Sequence, residues 1–232
     1  MLPDCKYLFL LLAALYLLPS CNTLEKVSSH GLQNGYYQIK SKKGESQKVY
    51  LEVTDEKIVA YAPKNLKEIW SAGLPQPDSM PRQQIVLKKQ SLDVDITSVV
   101  MKYRPSVHGL PGQLTTDFNI ALYAGWRHDS YRVRGRKDPL GKIQTKINAF
   151  GYDFGVFAGP GTTLISPFTT LQNRTDEYSA MILQAGFAGF IESKLASFGL
   201  AVGYDYLMNP DREVWIYQNK PWLGFVVGIA LN

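Results

Sequence analysis

Five stretches of this chain alternate large apolar side chains with small ones, position by position. Phe118, Ile120, Leu122, Ala124 and Trp126 interleave with Asp117, Asn119, Ala121, Tyr123, Gly125 and Arg127. Phe150, Tyr152, Phe154 and Val156 interleave with Gly151, Asp153, Gly155 and Phe157, and Met181, Leu183, Ala185 and Phe187 with Ile182, Gln184, Gly186 and Ala188. The same pattern runs through 198–206 and 223–232. A period of two means strands, because successive side chains of an extended chain point to opposite faces. Each run lasts about the 9 to 11 residues that a tilted strand needs to cross a bilayer.

Alternation alone does not separate a membrane barrel from a soluble one, but the second face does. A soluble barrel turns that face to water and fills it with Lys, Glu, Thr and Arg. Here it is Gly and Ala with a few polar groups, and Glu192 and Asp205 are the sole charges across 178–193, 197–208 and 221–231. A face of this kind suits the crowded interior of a narrow barrel. The bulky face then meets lipid, and Trp126, Tyr152, Tyr204, Tyr206, Trp215 and Tyr217 lie near strand ends, where aromatic girdles sit.

The N-terminus points to export. After Lys6 comes the apolar run Tyr7 to Leu18, twelve residues long, shorter than the roughly 20 a spanning helix needs and suited to a signal peptide. Leu18-Pro19-Ser20-Cys21 follows and resembles a bacterial lipobox. That resemblance implies cleavage before Cys21 and a diacylglycerol on its thiol. Cys5 lies within the segment to be removed, so one cysteine remains and no intramolecular disulfide is possible.

Residues 1–20 thus read as a signal, 21–84 as a small N-terminal β-meander with a Pro-rich linker, and 85–232 as the barrel. The meander strands are expected at Gly35–Lys40, Lys48–Val53 and Lys57–Tyr61, with 62–84 an irregular connection. Barrel strands are expected near 92–104, 116–128, 143–157, 162–172, 178–192, 197–208 and 213–231. An eighth, expected at Gln84 to Leu87, is needed for an even number. A bulge near Ser98 would reconcile the two phases of the first strand. The expected fold is all-β: an up-and-down antiparallel transmembrane β-barrel of about eight strands preceded by a small meander domain.

The ending Lys220-Pro221-Trp222-Leu223-Gly224-Phe225-Val226-Val227-Gly228-Ile229-Ala230-Leu231-Asn232 is similar to a closing strand of the small outer-membrane β-barrel proteins of Gram-negative bacteria. It departs from many of them in ending Leu-Asn instead of in an aromatic residue. With the lipobox, the whole looks most like an exported protein of the Bacteroidetes. The resemblance implies an outer-membrane location with the anchor at Cys21. It also implies contact with outer-membrane lipid, lipopolysaccharide and other envelope proteins, in a structural or interaction role without catalysis. Two other readings compete: a soluble lipid-tethered barrel holding an apolar ligand with its apolar face turned inward, and a barrel-embedded lipid hydrolase.

The hydrolase reading rests on His128-Asp129-Ser130, which holds the residue types of a nucleophilic triad. Adjacent strand residues point to opposite faces, however, and a triad needs convergence. The basic run Arg132, Arg134, Arg136 and Lys137 suits an anion or an acidic partner, or simply a solvated loop. Nucleic acid is not expected for an exported chain. Asp117, Arg127, Asp153, Glu192 and Asp205 are expected inside as an ion-pair network, joined by Lys102 or Arg104 if the bulge turns them inward. His30, His108 and His128 show no metal-ligand spacing, and no glycine-rich phosphate loop is present, so no metal and no cofactor is expected.

If the C-terminal strand ends in the periplasm, counting backwards places 209–212 outside, 192–197 inside and 172–177 outside. Gly159-Pro160-Gly161 is then a periplasmic turn, the basic 129–142 segment external, and 108–112 periplasmic with the 22–84 region.

Overall fold

The computed structural model describes residues 31–40, 46–54, 56–74, 85–137, 139–192 and 197–230. Cys21 and the signal lie outside them. The fold is all-β, one antiparallel sheet of eleven strands. They are β1 Gly35–Lys40, β2 Ser46–Val53, β3 Lys57–Tyr61, β4 Glu68–Gly73, β5 Ile85–Arg104, β6 Gln113–Thr115, β7 Ile120–Lys137, β8 Ile143–Ile165, β9 Tyr178–Glu192, β10 Ser197–Leu207 and β11 Pro221–Ala230. A turn of 3₁₀ helix, Pro210–Glu213, sits between the last two.

The strands follow the order β11-β10-β9-β8-β7-β5-β1-β2-β3-β4. In addition β11 pairs with β5 from Leu223↔Tyr103 to Ala230↔Asp95. Each of β5, β7, β8, β9, β10 and β11 therefore has a neighbour from this set of six on both sides. At its other end β5 also pairs with β1, Gln38 to Lys40 against Lys88 to Val86.

Three strands are much longer than the sequence pattern suggests: β5 has 20 residues, β7 has 18 and β8 has 23. They are shared between two packing units. One half of each joins β9, β10 and β11. The other half lies beside the meander, where Leu87, Tyr131 and Val133 are buried together with Tyr37, Val49, Leu51 and Ile58. Thr145 of β8 donates a 2.9 Å hydrogen bond to the Gly73 carbonyl at the end of β4.

Several expectations are corrected by these long strands. Ile85 to Leu87 are not an eighth strand: they open β5 itself, and Gln84 lies outside the described residues. The expected 143–157 and 162–172 strands merge into β8, which runs straight through Gly159-Pro160-Gly161. Those glycines mark close approach to β7 instead of a turn. A Cβ on Gly159 would lie 2.2 Å from the Ile120 carbonyl oxygen, and one on Gly161 would lie 2.3 Å from Asn119 Oδ1. The basic 129–142 segment is mostly strand, because Tyr131 and Val133 face the meander core while Arg132 and Arg134 face outward. The last strand starts at Pro221, since 213–220 form helical and turn structure. The set is therefore six strands, where eight were expected. The meander gains a fourth strand, β4, within the segment read as irregular. The bulge falls at Val100, two residues beyond Ser98: β11 pairs Val226 with Val99 and Phe225 with Met101.

Candidate functional site

The bulge decides which side chains of β5 are buried. Before it, Asp93, Asp95, Thr97 and Val99 are buried and Leu92, Val94 and Ile96 exposed; after it, Lys102 and Arg104 are buried and Met101 and Tyr103 exposed. The outer face is apolar around Leu122, Phe187 and Leu200, which are 65%, 71% and 72% exposed. The inner face is small residues, a few aromatics and charges. A Cβ on Gly203 would meet the Trp222 ring at 2.5 Å, so the indole needs glycine opposite it.

Two charged clusters lie on the buried face. In the first, Asp205 is fully buried and accepts from Lys102 Nζ at 3.0 Å, from Arg104 Nη2 at 2.5 Å and from Trp222 Nε1 at 2.9 Å. The cations are further held by rings. Lys102 lies 4.6 Å from the Trp222 ring, and Arg104 lies 5.2 Å from both Trp215 and Tyr217. Trp215 and Tyr217, read as girdle residues, are instead buried in a cluster with Ile165, Ile182 and Leu207. That cluster covers one end of the six-strand set.

The second cluster lies near the other end. Arg127 Nε donates to Asp129 at 3.1 Å, while its Nη1 lies 3.6 Å from Asp93 and 3.5 Å from Glu192. Tyr123 donates to Asp153 at 2.5 Å and Ser197 to Glu192 at 2.8 Å. Carboxylate oxygens of Asp93, Asp153 and Glu192 lie within 4.8 Å of one another. Of the expected inward network, the structure brings Arg127, Asp153 and Glu192 together and Asp205 with both Lys102 and Arg104. Asp117 is half-buried beyond β6, near enough to Lys102 to act on its charge.

Sequence reading missed Asp93, Asp95, Tyr123 and Trp222. The first two were legible: Leu92-Asp93-Val94-Asp95-Ile96 alternates strictly, which puts both aspartates opposite the exposed apolar residues. Trp222 was legible as the one large member of the small-residue phase of β11.

The triad types do not converge. Asp129 faces Arg127, while His128 Nδ1 lies 3.3 Å from the Trp126 carbonyl and its ring stacks on Tyr152 at 5.2 Å. Arg132, Arg134, Arg136 and Lys137 lie exposed along the last third of β7. At the far end a separate polar group forms. Arg174 chelates Asp211 with Nε and Nη2, Tyr178 donates to the same carboxylate, and Asn209 donates to the Tyr178 hydroxyl at 2.8 Å. These bonds, Arg174 first, hold the Asp211 carboxyl below its ordinary range.

Among the described residues no helix is long and apolar enough to cross a membrane, which says nothing of strands. No protein-family model, curated protein or solved structure matches the chain.

Proposed function

We propose that this is a non-enzymatic lipoprotein of the outer membrane, anchored at Cys21, whose six long-range-paired strands close into a narrow barrel that crosses the bilayer. The exposed apolar belt around the six-strand set carries this reading: Leu92, Leu122, Trp126, Phe154, Phe187, Leu200 and Leu223 all point away from the interior. In water such a continuous surface would favour association; in lipid it is the expected outer face. The interior is filled by Trp222, Phe157, Phe190 and the ion clusters, which suits a solid strut and not a channel. A ligand carrier would need the apolar face inward, and here it is outward. The role is structural or interactive, within the envelope and with other envelope proteins.

Purified protein in mild detergent should migrate faster on gels before boiling than after, the mark of a folded membrane barrel. Identical migration would remove the barrel. Labelling with radioactive palmitate should be lost in Cys21→Ala; equal labelling of both forms would remove the anchor.

A further inference from the structure

Where β1 parts from β5, a cleft of about 780 Å³ opens on the outer face of the sheet and reaches through the gap to Tyr37, Lys89 and Asp129, which share the inward phase of Leu87 and Tyr131. Five cations line it: Lys40, Lys48, Lys88, Lys89 and Arg132. Among the described residues its one acid, Asp129, is already bound by Arg127. The rings of Tyr36 and Tyr37 hold two of the lysines, Lys48 at 4.7 Å and Lys89 at 5.8 Å. The basic excess is thus built into the junction of meander and long strands, partly from residues distant in sequence.

What lies next to the cleft identifies the ligand. Gln90, His128 and Tyr152 face each other across β5, β7 and β8 at its lower rim. The next outward row on the same strands is Leu92, Trp126 and Phe154, all exposed. Two residues of strand separate these rows, about 7 Å. Basic cleft and apolar belt are therefore as close as a lipid phosphate and the start of its acyl chains.

We infer that this cleft binds the phosphate of an anionic glycerophospholipid, whose chains then lie on the Leu92-Trp126-Phe154 surface. Lysines and arginine are the fitting donors for a phosphate. The leaflet follows from the strands. The cleft, the 137–143 hairpin and the Ala230 end of β11 all lie at one end of the six-strand set. With the C-terminal strand ending in the periplasm, that end meets the inner leaflet, where phospholipid is the anionic species and lipopolysaccharide is not. This inference rests on the membrane reading above.

The test uses the full mature protein in dodecyl maltoside micelles doped with dibrominated phosphatidylglycerol or dibrominated phosphatidylcholine. Bromine quenches nearby indole, and the Trp126 signal is the difference between wild type and Trp126→Phe. Both lipids should quench Trp126, phosphatidylglycerol at several-fold lower mole fraction. Each neutralised cation should cost about fivefold in that preference, so K88Q/K89Q/R132Q should abolish it, with gel migration reporting that the variant is folded. Arg136→Gln, four residues beyond Arg132 on β7 and outside the cleft lining, should leave it intact. Equal quenching by the two lipids, or a preference that survives the triple variant, overturns the inference and leaves the membrane reading standing. Displacement of the brominated lipid by millimolar inorganic phosphate, or by lipopolysaccharide better than by phosphatidylglycerol, overturns the glycerophospholipid as the ligand. Absence of quenching by either lipid removes the membrane reading and the inference together.

Discussion

Asp205 is the residue on which the interior most depends, and Asp205→Asn isolates its charge. The side chain keeps its shape and one acceptor. What disappears is the anion facing Lys102 at 3.0 Å and Arg104 at 2.5 Å, both of them almost fully buried. Removing one partner from a buried ion pair costs about 3–5 kcal/mol, because the remaining charge stays desolvated without compensation. Here two cations are left, with only the half-buried Asp117 close to Lys102, so the upper part of that range is expected. The stacking of Arg104 on Trp215 and Tyr217 offsets a small part, since cation–π contacts contribute about 1–2 kcal/mol. Urea titration in detergent, followed by the heat-modifiable gel shift, measures the loss. For a dependence of about 2 kcal/mol per molar urea, the midpoint should fall by about 2 M. Lys102→Met alone should cost less, because Arg104 still neutralises Asp205. In that background Asp205→Asn should cost less than it does in the wild type, a coupling expected of groups in direct contact. A midpoint shift below about 0.5 M, or strict additivity of the two changes, would refute the claim that these charges are mutually dependent.

The Arg174–Asp211–Tyr178 group gives a pH prediction. The Asp211 carboxyl is depressed below its ordinary 3.8 by Arg174 and Tyr178, so its contribution is complete above that value and disappears as pH falls through the lower folded value. Protease sensitivity of the 208–220 segment should therefore rise below about pH 4 in the wild type and be pH-independent in Asp211→Asn; identical profiles would discount the ion pair. For orientation, Asp176→Cys should react with a membrane-impermeant maleimide on intact cells, while Leu140→Cys, at the exposed tip of the β7–β8 hairpin, should react only after permeabilisation. The reverse result would turn the barrel over and move the phospholipid cleft to the outer leaflet.

That last expectation reverses the sequence reading of the basic segment, and the reason is physical. Strand existence was legible wherever one face is bulky and the other small, as in β9 and β10, whose observed limits fall within a residue of the expected ones. Strand length was not legible where the environment changes along a strand. Beyond Arg127, β7 keeps its period of two, but the outward residues become Arg132, Arg134 and Arg136, because there the strand leaves the apolar belt and passes beside the meander. Basic residues on an outer face mimic a loop unless the inward Tyr131 and Val133 are weighed with them. Gly159-Pro160-Gly161 misled for the opposite reason, since glycine serves close approach as readily as turning. Joining 143–157 to 162–165 removed one reversal of direction, so 129–142 and 108–112 exchange sides, while the 22–84 region keeps its side because the expected eighth strand is lost as well. The interior clusters were legible in part: the inward acids were evident, but their partners depend on a bulge whose position only the pairing with β11 fixes.

The shared strands also bear on whether the meander is a separable domain. Leu87, Tyr131 and Val133 belong to strands of the six-strand set, yet they are buried against Tyr37, Val49, Leu51 and Ile58. Deleting residues 22–84 would uncover all three, together with the partly covered Ile85 and Ile147. Re-exposing a fully buried large apolar side chain costs about 1.5–3 kcal/mol, so the three lose about 5–9 kcal/mol between them. A loss of that size is comparable with the whole stability of an ordinary domain, about 5–15 kcal/mol. The deletion variant should therefore be exported but recovered mainly as unfolded or degraded protein, without heat-modifiable migration. Replacing Leu87, Tyr131 and Val133 by Thr in the same deletion should restore part of the folded fraction, since the uncovered surface is then polar. A deletion variant that folds as well as the full chain would show that the six strands are independent of the meander and that the boundary at 84 is a true domain boundary.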